Sequence, residues 1–138
     1  MEAIVRTGLS KGAVSLQDVP RPDPDEGEVL IAVDAAGVCG SDVGAYLGKP
    51  EYEFMSVPAV MGHEFAGTVT EVGDCVHSFE AGDRVVVWPG TACGECFQCR
   101  TGQENVCTEM EAGDLGAGGF APHATAPVSN LHLIPEGV

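Results

Sequence analysis

The chain has 138 residues, of which 44% are hydrophobic, so it suits one globular domain with a core that needs no disulfides. It has neither an apolar run of about 20 residues nor a signal-peptide pattern, so we expect a cytoplasmic protein without a membrane partner. The 21 acidic residues outnumber the 6 basic ones and are scattered along the chain, so the net charge of −15 predicts no nucleic-acid partner and a halophilic, salt-adapted source.

Residue patterns predict a chain built mainly of strands. Three strands are expected early, at Ala3–Arg6, Val14–Val19 and Val29–Ala35, followed by a short helix that begins within Gly40-Ser41-Asp42 and ends at Tyr46. Later strands are expected at Phe65–Val72, Arg84–Trp88, Phe120–Val128 and Leu131–Ile134. The stretches Pro89–Thr108 and Gly116–Gly119 are interpreted as loops. The predicted fold class is therefore mainly β, a barrel or sandwich with short helices.

Four cysteines lie close together in the first of these loops. They follow the pattern Cys93-x-x-Cys96-x-x-Cys99, with Cys107 eight positions later. Zinc takes four ligands in a tetrahedron, and two-residue gaps let one loop wrap around such an ion. Because four thiolates fill the coordination sphere, the spacing predicts a structural zinc that fastens residues 89–108. Chance or disulfide pairing is a weaker alternative, since cysteines rarely pair stably in a reducing compartment.

An iron–sulfur cluster is the stronger alternative for these cysteines. The first three match the start of a bacterial ferredoxin run, but that run has its fourth cysteine after three residues and then a proline. Here seven residues intervene and Thr108 follows. Visible absorption distinguishes the two metals, because a brown protein would refute zinc.

A second group of metal-binding residue types is divided between two segments. Cys39-Gly40-Ser41-Asp42 follows one predicted strand, and Gly62-His63-Glu64 precedes another. Cysteine, histidine and carboxylate side chains all bind zinc, and a catalytic zinc keeps one coordination position open. Taken alone each segment is a weak signal, because a single Cys or His more often has only a packing role. Cys75 belongs to neither group and is interpreted as a thiol without function.

The order of these motifs resembles the zinc-dependent medium-chain dehydrogenases, which include alcohol, sorbitol and threonine dehydrogenases. The matching segments are residues 37–42, residues 58–69, residues 82–85 and the four-cysteine loop, so the resemblance extends over essentially the whole chain. It implies a GroES-like, partly open β-barrel with short helices and a zinc-binding loop. It also implies that residues 1–138 form the GroES-like catalytic domain, with the family's dinucleotide-binding domain absent from them.

The resemblance implies a role for each residue of the second group. Cys39 and His63 resemble catalytic zinc ligands, and Glu64 resembles the carboxylate that can approach the metal. Asp42 resembles the carboxylate that orients the His63 ring, and Ser41 the hydroxyl that takes the proton of the substrate alcohol. The implied reaction is zinc-assisted hydride transfer between an alcohol, or its carbonyl compound, and NAD or NADP.

The sequence departs from the family pattern at two points. Gly44 stands where many members have a proton-relaying histidine, and none of His77, His123 and His132 can be assigned that role. The family's third zinc ligand and cofactor domain lie beyond the matched region, so we expect the 138 residues alone to be inactive. We also expect partial zinc occupancy at Cys39 and His63 unless Glu64 completes the site. An apolar edge exposed at the domain boundary would favour a homo-oligomer.

Two functional hypotheses follow. The leading one is the catalytic, zinc-binding domain of an NAD(P)-dependent alcohol or polyol dehydrogenase acting on a small alcohol or carbonyl compound. The alternative is a stand-alone zinc-stabilised binding module with the same barrel and no catalysis. Tyr46, Trp88 and the pair Phe54–Met55 are candidates for lining a substrate pocket, although such residues more often belong to the core.

Overall fold

The computed structural model describes residues 1–112 and 118–138, so residues 116 and 117 of the glycine-rich run lie outside the described residues. Ten strands occur in the described chain: β1 (Glu2–Arg6), β2 (Val14–Asp18), β3 (Glu28–Gly37), β4 (Ala59–Val60), β5 (Glu64–Val72), β6 (Arg84–Val87), β7 (Gly90–Thr91), β8 (Glu111–Ala112), β9 (His123–Pro127) and β10 (Leu131–Leu133). The α-helices are α1 (Gly40–Tyr46) and α2 (Phe97–Arg100), and 3₁₀-helices span Pro50–Tyr52, Glu104–Val106 and Val128–Asn130. Neither α-helix has the length or apolar character needed to cross a bilayer.

The strands form three antiparallel sheets. The largest has the strand order β10-β6-β5-β3-β9, the second has the order β2-β1-β4, and β7 pairs with β8. Strands β3 and β5 pair over most of their length, but the register shifts between Leu30 and Ile31 and again between Val33 and Ala35. Such irregularities bend a strand and increase its twist, which curls the large sheet.

Alternate residues of the large sheet form the main core. On β6, Val85 and Val87 are buried while Arg84 and Val86 are exposed, as expected for a sheet with one covered face. The main cluster contains Val29, Ile31, Phe65, Val69, Val85, Val87, Ala124, Ala126 and Leu131. A second cluster joins Ala45 of α1 to Met55 and Met61, with Val14, Tyr52 and Phe120 packed against it. The helix that carries Ser41 and Asp42 is therefore anchored on a small core of its own.

The mainly β prediction is confirmed, and the predicted long strands are present. The strand expected from Phe120 begins three residues later, at His123, because the Phe120 backbone bonds instead to Ile4 and Met61. The start of α1 is also corrected: the N-cap is Cys39, whose backbone N–H donates to the Asp42 carboxylate at 2.9 Å. The two-residue strands β4, β7 and β8 escaped prediction because they are too short to show alternation.

Candidate metal centres

The four-cysteine loop folds its sulfur atoms into one group. The turns at Gly94 and Gly102 have φ angles of +73° and +75°, a conformation that side chains other than glycine's rarely adopt. Helix α2 then begins after Cys96, whose sulfur accepts a hydrogen bond from the Cys99 backbone N–H at 3.5 Å. Cys99 and Cys107 are buried, whereas Cys93 is exposed. The loop thus presents four thiols from a segment that has little apolar core of its own.

The spacing of the four sulfur atoms fits a tetrahedral metal. Four of the Sγ–Sγ distances are 3.4 Å for Cys96–Cys99, 3.5 Å for Cys93–Cys107, 3.8 Å for Cys96–Cys107 and 3.9 Å for Cys93–Cys99. A zinc tetrahedron with bonds of about 2.3 Å has edges of about 3.8 Å. All six cysteines of the chain are free thiols, so disulfides do not explain this grouping.

Hydrogen bonds and burial shift the pKa values of two of these thiols in opposite directions. The backbone N–H groups of Cys99 and Thr108 bond to the Cys96 sulfur and lower the pKa of the Cys96 thiol to about 6. Burial raises the pKa of the Cys99 thiol to about 12, and its contacts with neighbouring thiols act in the same direction. Without metal, Cys96 therefore ionises more readily than Cys99, and a bound metal cation would favour the thiolate form of Cys99.

The second group is assembled by the pairing of β3 with β5. Gly37 lies opposite Glu64 in this ladder, which brings Cys39, just after β3, close to His63 and Glu64. The ligand atoms of Cys39, His63 and Glu64 all lie within 4.8 Å of one another. Gly37 leaves room for this arrangement, because a Cβ there would come within 3.2 Å of the Glu64 carboxylate. The residues present thus offer one thiol, one imidazole and one carboxylate, a donor set that suits zinc.

The His63 ring is held between two side chains of α1. The Ser41 hydroxyl lies 3.2 Å from Nε2, and Asp42 Oδ1 lies 3.6 Å from Nδ1. Nδ1 and Oδ1 are both buried and have no other partner, so each is best satisfied by the other. A proton on Nδ1 facing Asp42 leaves Nε2 free as a metal ligand, the arrangement in which carboxylates commonly orient ligating histidines.

Two glycines, one directly before His63 and one on α1, have packing roles that the sequence did not predict. Gly62 has a φ angle of +88°, and a Cβ there would come within 2.6 Å of Phe120, so the turn that delivers His63 requires glycine. Gly44 lies on α1, and a Cβ there would come within 2.0 Å of the Tyr52 ring. Tyr52 therefore occupies the space beside Gly44, a packing contact that no local pattern could have indicated.

The remaining residues considered from the sequence lie outside the two metal-binding groups. His77 lies between β5 and β6, His123 on β9 and His132 on β10, and none of them belongs to the metal-binding groups found among the described residues. Cys75 is exposed and has a φ angle of +62°. Met55 is buried in the second core cluster, whereas Phe54 is 62% exposed.

An apolar cavity adjoins the second group. It measures about 210 Å³ and is lined by Ile4, Val14, Val38, Asp42, Val43, Tyr46, Met61 and Phe120. Of the residues expected to line a pocket, only Tyr46 borders this cavity. Another cavity, of about 360 Å³, borders Pro20 and His123 and shares no residue with either cysteine-containing group.

Comparison with known families agrees with this fold and these motifs. Residues 25–136 match the alcohol dehydrogenase GroES-like domain. The chain therefore belongs to this family, and its mainly β architecture with open sheets is the GroES-like fold that the sequence predicted.

Two curated relatives illustrate the similarity. The chain is 43% identical over 118 residues to the starvation-sensing protein RspB of Escherichia coli K12, covering 85% of this chain and 34% of that protein. It is 36% identical to a sorbitol dehydrogenase of Halalkalibacterium halodurans, covering 100% of this chain and 40% of the relative. The chain thus spans well under half the length of these curated relatives.

Solved structures show the same likeness. The crystal structure of AibC has a TM-score of 0.87 and 36% identity, covering 100% of this chain and 39% of AibC. The alcohol dehydrogenase RspB of Escherichia coli CFT073, solved with NADH, has a TM-score of 0.83 and 38% identity, again covering 100% of this chain and 39% of the other.

Proposed function

We propose that this chain is the catalytic, zinc-binding domain of an NAD(P)-dependent dehydrogenase that interconverts a small alcohol or polyol and its carbonyl compound. The observation that carries the proposal is the approach of Cys39, His63 and Glu64 within 4.8 Å, with the Ser41 hydroxyl 3.2 Å from the His63 ring. The relative named sorbitol dehydrogenase and the neighbour solved with NADH support it. In this proposal residues 1–138 act as one domain, and a dinucleotide-binding domain outside them holds NAD or NADP.

The residues of the second group have distinct tasks in this reaction. Cys39, His63 and Glu64 would hold zinc, which when bound polarises the substrate oxygen, while the nicotinamide cofactor exchanges the hydride. Ser41 Oγ accepts the proton that the alcohol loses while it passes its own hydroxyl proton on to water, and the reverse reaction runs the two transfers backwards. Asp42 keeps the His63 ring oriented through Nδ1. The cavity bordered by Asp42 and Tyr46 offers an apolar wall for the carbon chain of the substrate.

The four-cysteine loop is proposed to hold a second, structural zinc. Its four thiolates complete the metal's coordination, so Cys93, Cys96, Cys99 and Cys107 take no part in the reaction. The metal instead fixes the loop of residues 89–108, which begins at β7 and is followed by β8, the two strands of a separate small sheet.

Metal analysis of the purified 138 residues tests both centres. We expect a chelator to remove zinc first from the three-ligand group and later from the four-cysteine group. The variant Cys39→Ser should lose only the labile metal, and Cys93→Ser only the retained one. A single metal that survives Cys39→Ser unchanged would support a structural module without catalysis. Strong visible absorption would indicate iron–sulfur instead of zinc.

Activity tests the enzymatic part of the proposal. NAD⁺ or NADP⁺ reduction is measured for the protein as its genome encodes it, with a panel of alcohols and polyols. Ser41→Ala should lower turnover by about 10²- to 10⁴-fold, since it removes the proton acceptor. The 138 residues alone should show no turnover, and measurable activity from them would contradict the assignment of cofactor binding to another domain.

A further inference from the structure

The Tyr52 ring stands where a side chain of residue 44 would begin. Gly44 lies on the buried face of α1, and a Cβ there would come within 2.7 Å of Tyr52 Cζ, the ring carbon that bears the hydroxyl. Residues three apart on a helix lie side by side, so position 44 adjoins Ser41. The phenol of Tyr52 therefore takes the place next to Ser41 that the glycine leaves open.

The backbone of Tyr52 is anchored on both sides of the residue. Its carbonyl oxygen accepts a hydrogen bond at 2.8 Å from Nη1 of Arg6, a side chain that is only 1% exposed. Its N–H donates to the Lys49 carbonyl oxygen at 3.0 Å, within the 3₁₀-helix Pro50–Tyr52 that packs on α1. Because the backbone is held in this way, the ring can stay beside α1 with little further loss of conformational freedom.

The hydroxyl group of Tyr52 is available for proton transfer. Within the part of the chain that the structure describes, Tyr52 Oη has no hydrogen-bond partner, yet it is not one of the buried polar atoms that lack one. The hydroxyl therefore reaches water, although the ring packs against the second core cluster. Because a hydroxyl group both donates and accepts, it can connect a less accessible neighbour to the solvent.

The hydroxyl of Ser41 requires such a connection. Among the described residues its only hydrogen-bond partner is His63 Nε2 at 3.2 Å, the nitrogen that we propose as a metal ligand. A ring nitrogen whose lone pair binds a metal cannot accept a proton as well. The proton that Ser41 gives up must therefore leave by another route.

We propose that the Tyr52 hydroxyl connects Ser41 to the solvent, directly or through one bridging water. This proposal rests on the proposed function, in which Ser41 Oγ takes the proton of the alcohol and releases its own. The released proton forms a new O–H bond at Tyr52 Oη while the original O–H bond of Tyr52 breaks and its proton passes to water. Each hydroxyl thus keeps one proton and stays neutral, and the reverse reaction runs the same transfers backwards.

Removing this one hydroxyl from the protein as its genome encodes it tests the proposal. Tyr52→Phe keeps the ring beside Gly44, so the free energy of unfolding in urea should stay close to that of the unsubstituted protein. Turnover should fall by about 10²-fold, the lower end of what a positioned proton-transfer group contributes, with KM unchanged. The solvent deuterium isotope effect on turnover should increase, because proton release becomes slow, whereas a packing defect would leave it unaltered.

Ser129→Ala is the matched control, because it removes an exposed hydroxyl from another 3₁₀-helix, Val128–Asn130, and should change neither turnover nor the isotope effect. Full turnover in Tyr52→Phe, or a loss without a change in the isotope effect, would overturn the role of Tyr52 and leave that of Ser41 intact. No turnover by the unsubstituted protein with any alcohol would refute both this proposal and the function on which it rests.

A crystal structure with ordered waters provides a second measurement that needs neither activity nor a variant. Tyr52 Oη should lie within hydrogen-bond distance of Ser41 Oγ, or of a water that also contacts Ser41 Oγ. A Tyr52 hydroxyl with neither contact would refute the connection.

Discussion

At the residue scale, Asp42 links the two segments that carry the second metal group. One carboxylate oxygen accepts the Cys39 backbone N–H at 2.9 Å, and the other faces His63 Nδ1 at 3.6 Å. The same side chain therefore fixes the start of α1 and the orientation of a proposed ligand. Its side chain is only 4% exposed, so water cannot easily replace either contact.

Replacing this carboxylate by an amide tests its role as a positioning residue. Asp42→Asn should lower zinc affinity at the Cys39–His63–Glu64 group by about 10- to 100-fold, because the neutral amide stabilises the ligating imidazole less well. Competition with a chromogenic chelator measures the affinity. Asp83→Asn is a matched control, since Asp83 also accepts a backbone N–H, that of Glu80, but in a distant turn. Similar losses in both variants would show that Asp42 contributes only to folding.

The acidity of Cys96 gives a prediction for the metal-free protein. Because its pKa is lowered to about 6, the thiolate fraction, and with it the alkylation rate, should rise between about pH 5 and 7 and level off above. Cys99, with a pKa raised to about 12, should remain unmodified throughout that range. The metal is first removed with a chelator, and the protein is treated briefly with iodoacetamide. Peptide mass spectrometry then measures the alkylation of Cys96 and of Cys99 separately. A Cys96 rate that still climbs steeply above pH 8 would contradict the prediction.

Sequence patterns identified the candidate metal ligands better than the residues that pack around them. The spacing of the four cysteines and the pair of segments around Cys39 and His63 specify ligand types directly, and the structure brings each set together. The contact between Tyr52 and Gly44 was not predictable, because it depends on how a 3₁₀-helix eight residues away folds back onto α1. Arg6 was likewise interpreted only as the last residue of a strand, and its burial, at 1% exposure, depends on the whole fold.

At the element scale, two glycines of α1 differ sharply in their surroundings. A Cβ at Gly44 would come within 2.0 Å of the Tyr52 ring, whereas a Cβ at Gly40 would have no atom within 4 Å. Alanine favours a helix interior over glycine by about 1 kcal/mol, so any loss at position 44 reflects the packing rather than the helix. The two positions thus form a natural pair for comparison.

Alanine at these two positions should have opposite effects. We expect Gly44→Ala to destabilise the domain by about 1–3 kcal/mol through overpacking, and Gly40→Ala to be neutral or stabilising. Urea unfolding of the zinc-loaded protein measures both. The double variant with Tyr52→Ala should recover much of the loss relative to Tyr52→Ala alone. Equal stability of the two single variants would show that Tyr52 can move aside at little cost.

The limits of prediction at this scale have a physical cause. Long strands can be read locally: β5 alternates between buried and less buried residues over its first six positions, and β3 contains a continuous apolar run. Strands of two residues exist only because a partner strand lies alongside: β4 pairs with β1, and β7 with β8. Their pairing is a property of the sheet rather than of their own sequence.

At the scale of the whole molecule, charge repulsion opposes folding. The net charge of −15 on 138 residues makes the compact state self-repelling, and salt relieves this. The described chain has few ion pairs to compensate, and that between Arg21 and Glu71 is largely exposed and therefore weak. We propose on this ground that the protein is adapted to high salt.

Stability should therefore rise with ionic strength whatever the anion. Between about 0.01 M and 1 M sodium gluconate, the Debye length falls from about 30 Å to 3 Å, and the thermal midpoint should increase steadily. A midpoint that is the same in dilute and molar salt would exclude salt adaptation.

The close grouping of the four thiols also has a preparative consequence. Sulfur atoms 3.4–3.9 Å apart need only a small movement to reach the bond length of about 2.05 Å found in disulfides. Cys96, with its lowered pKa, is the thiol most readily oxidised by dissolved oxygen, which takes up the two electrons that the new disulfide releases. A sample stripped of metal in air would be cross-linked within the loop and would no longer accept zinc until reduced. The metal content of a preparation therefore records its exposure to oxygen as well as its intrinsic affinity.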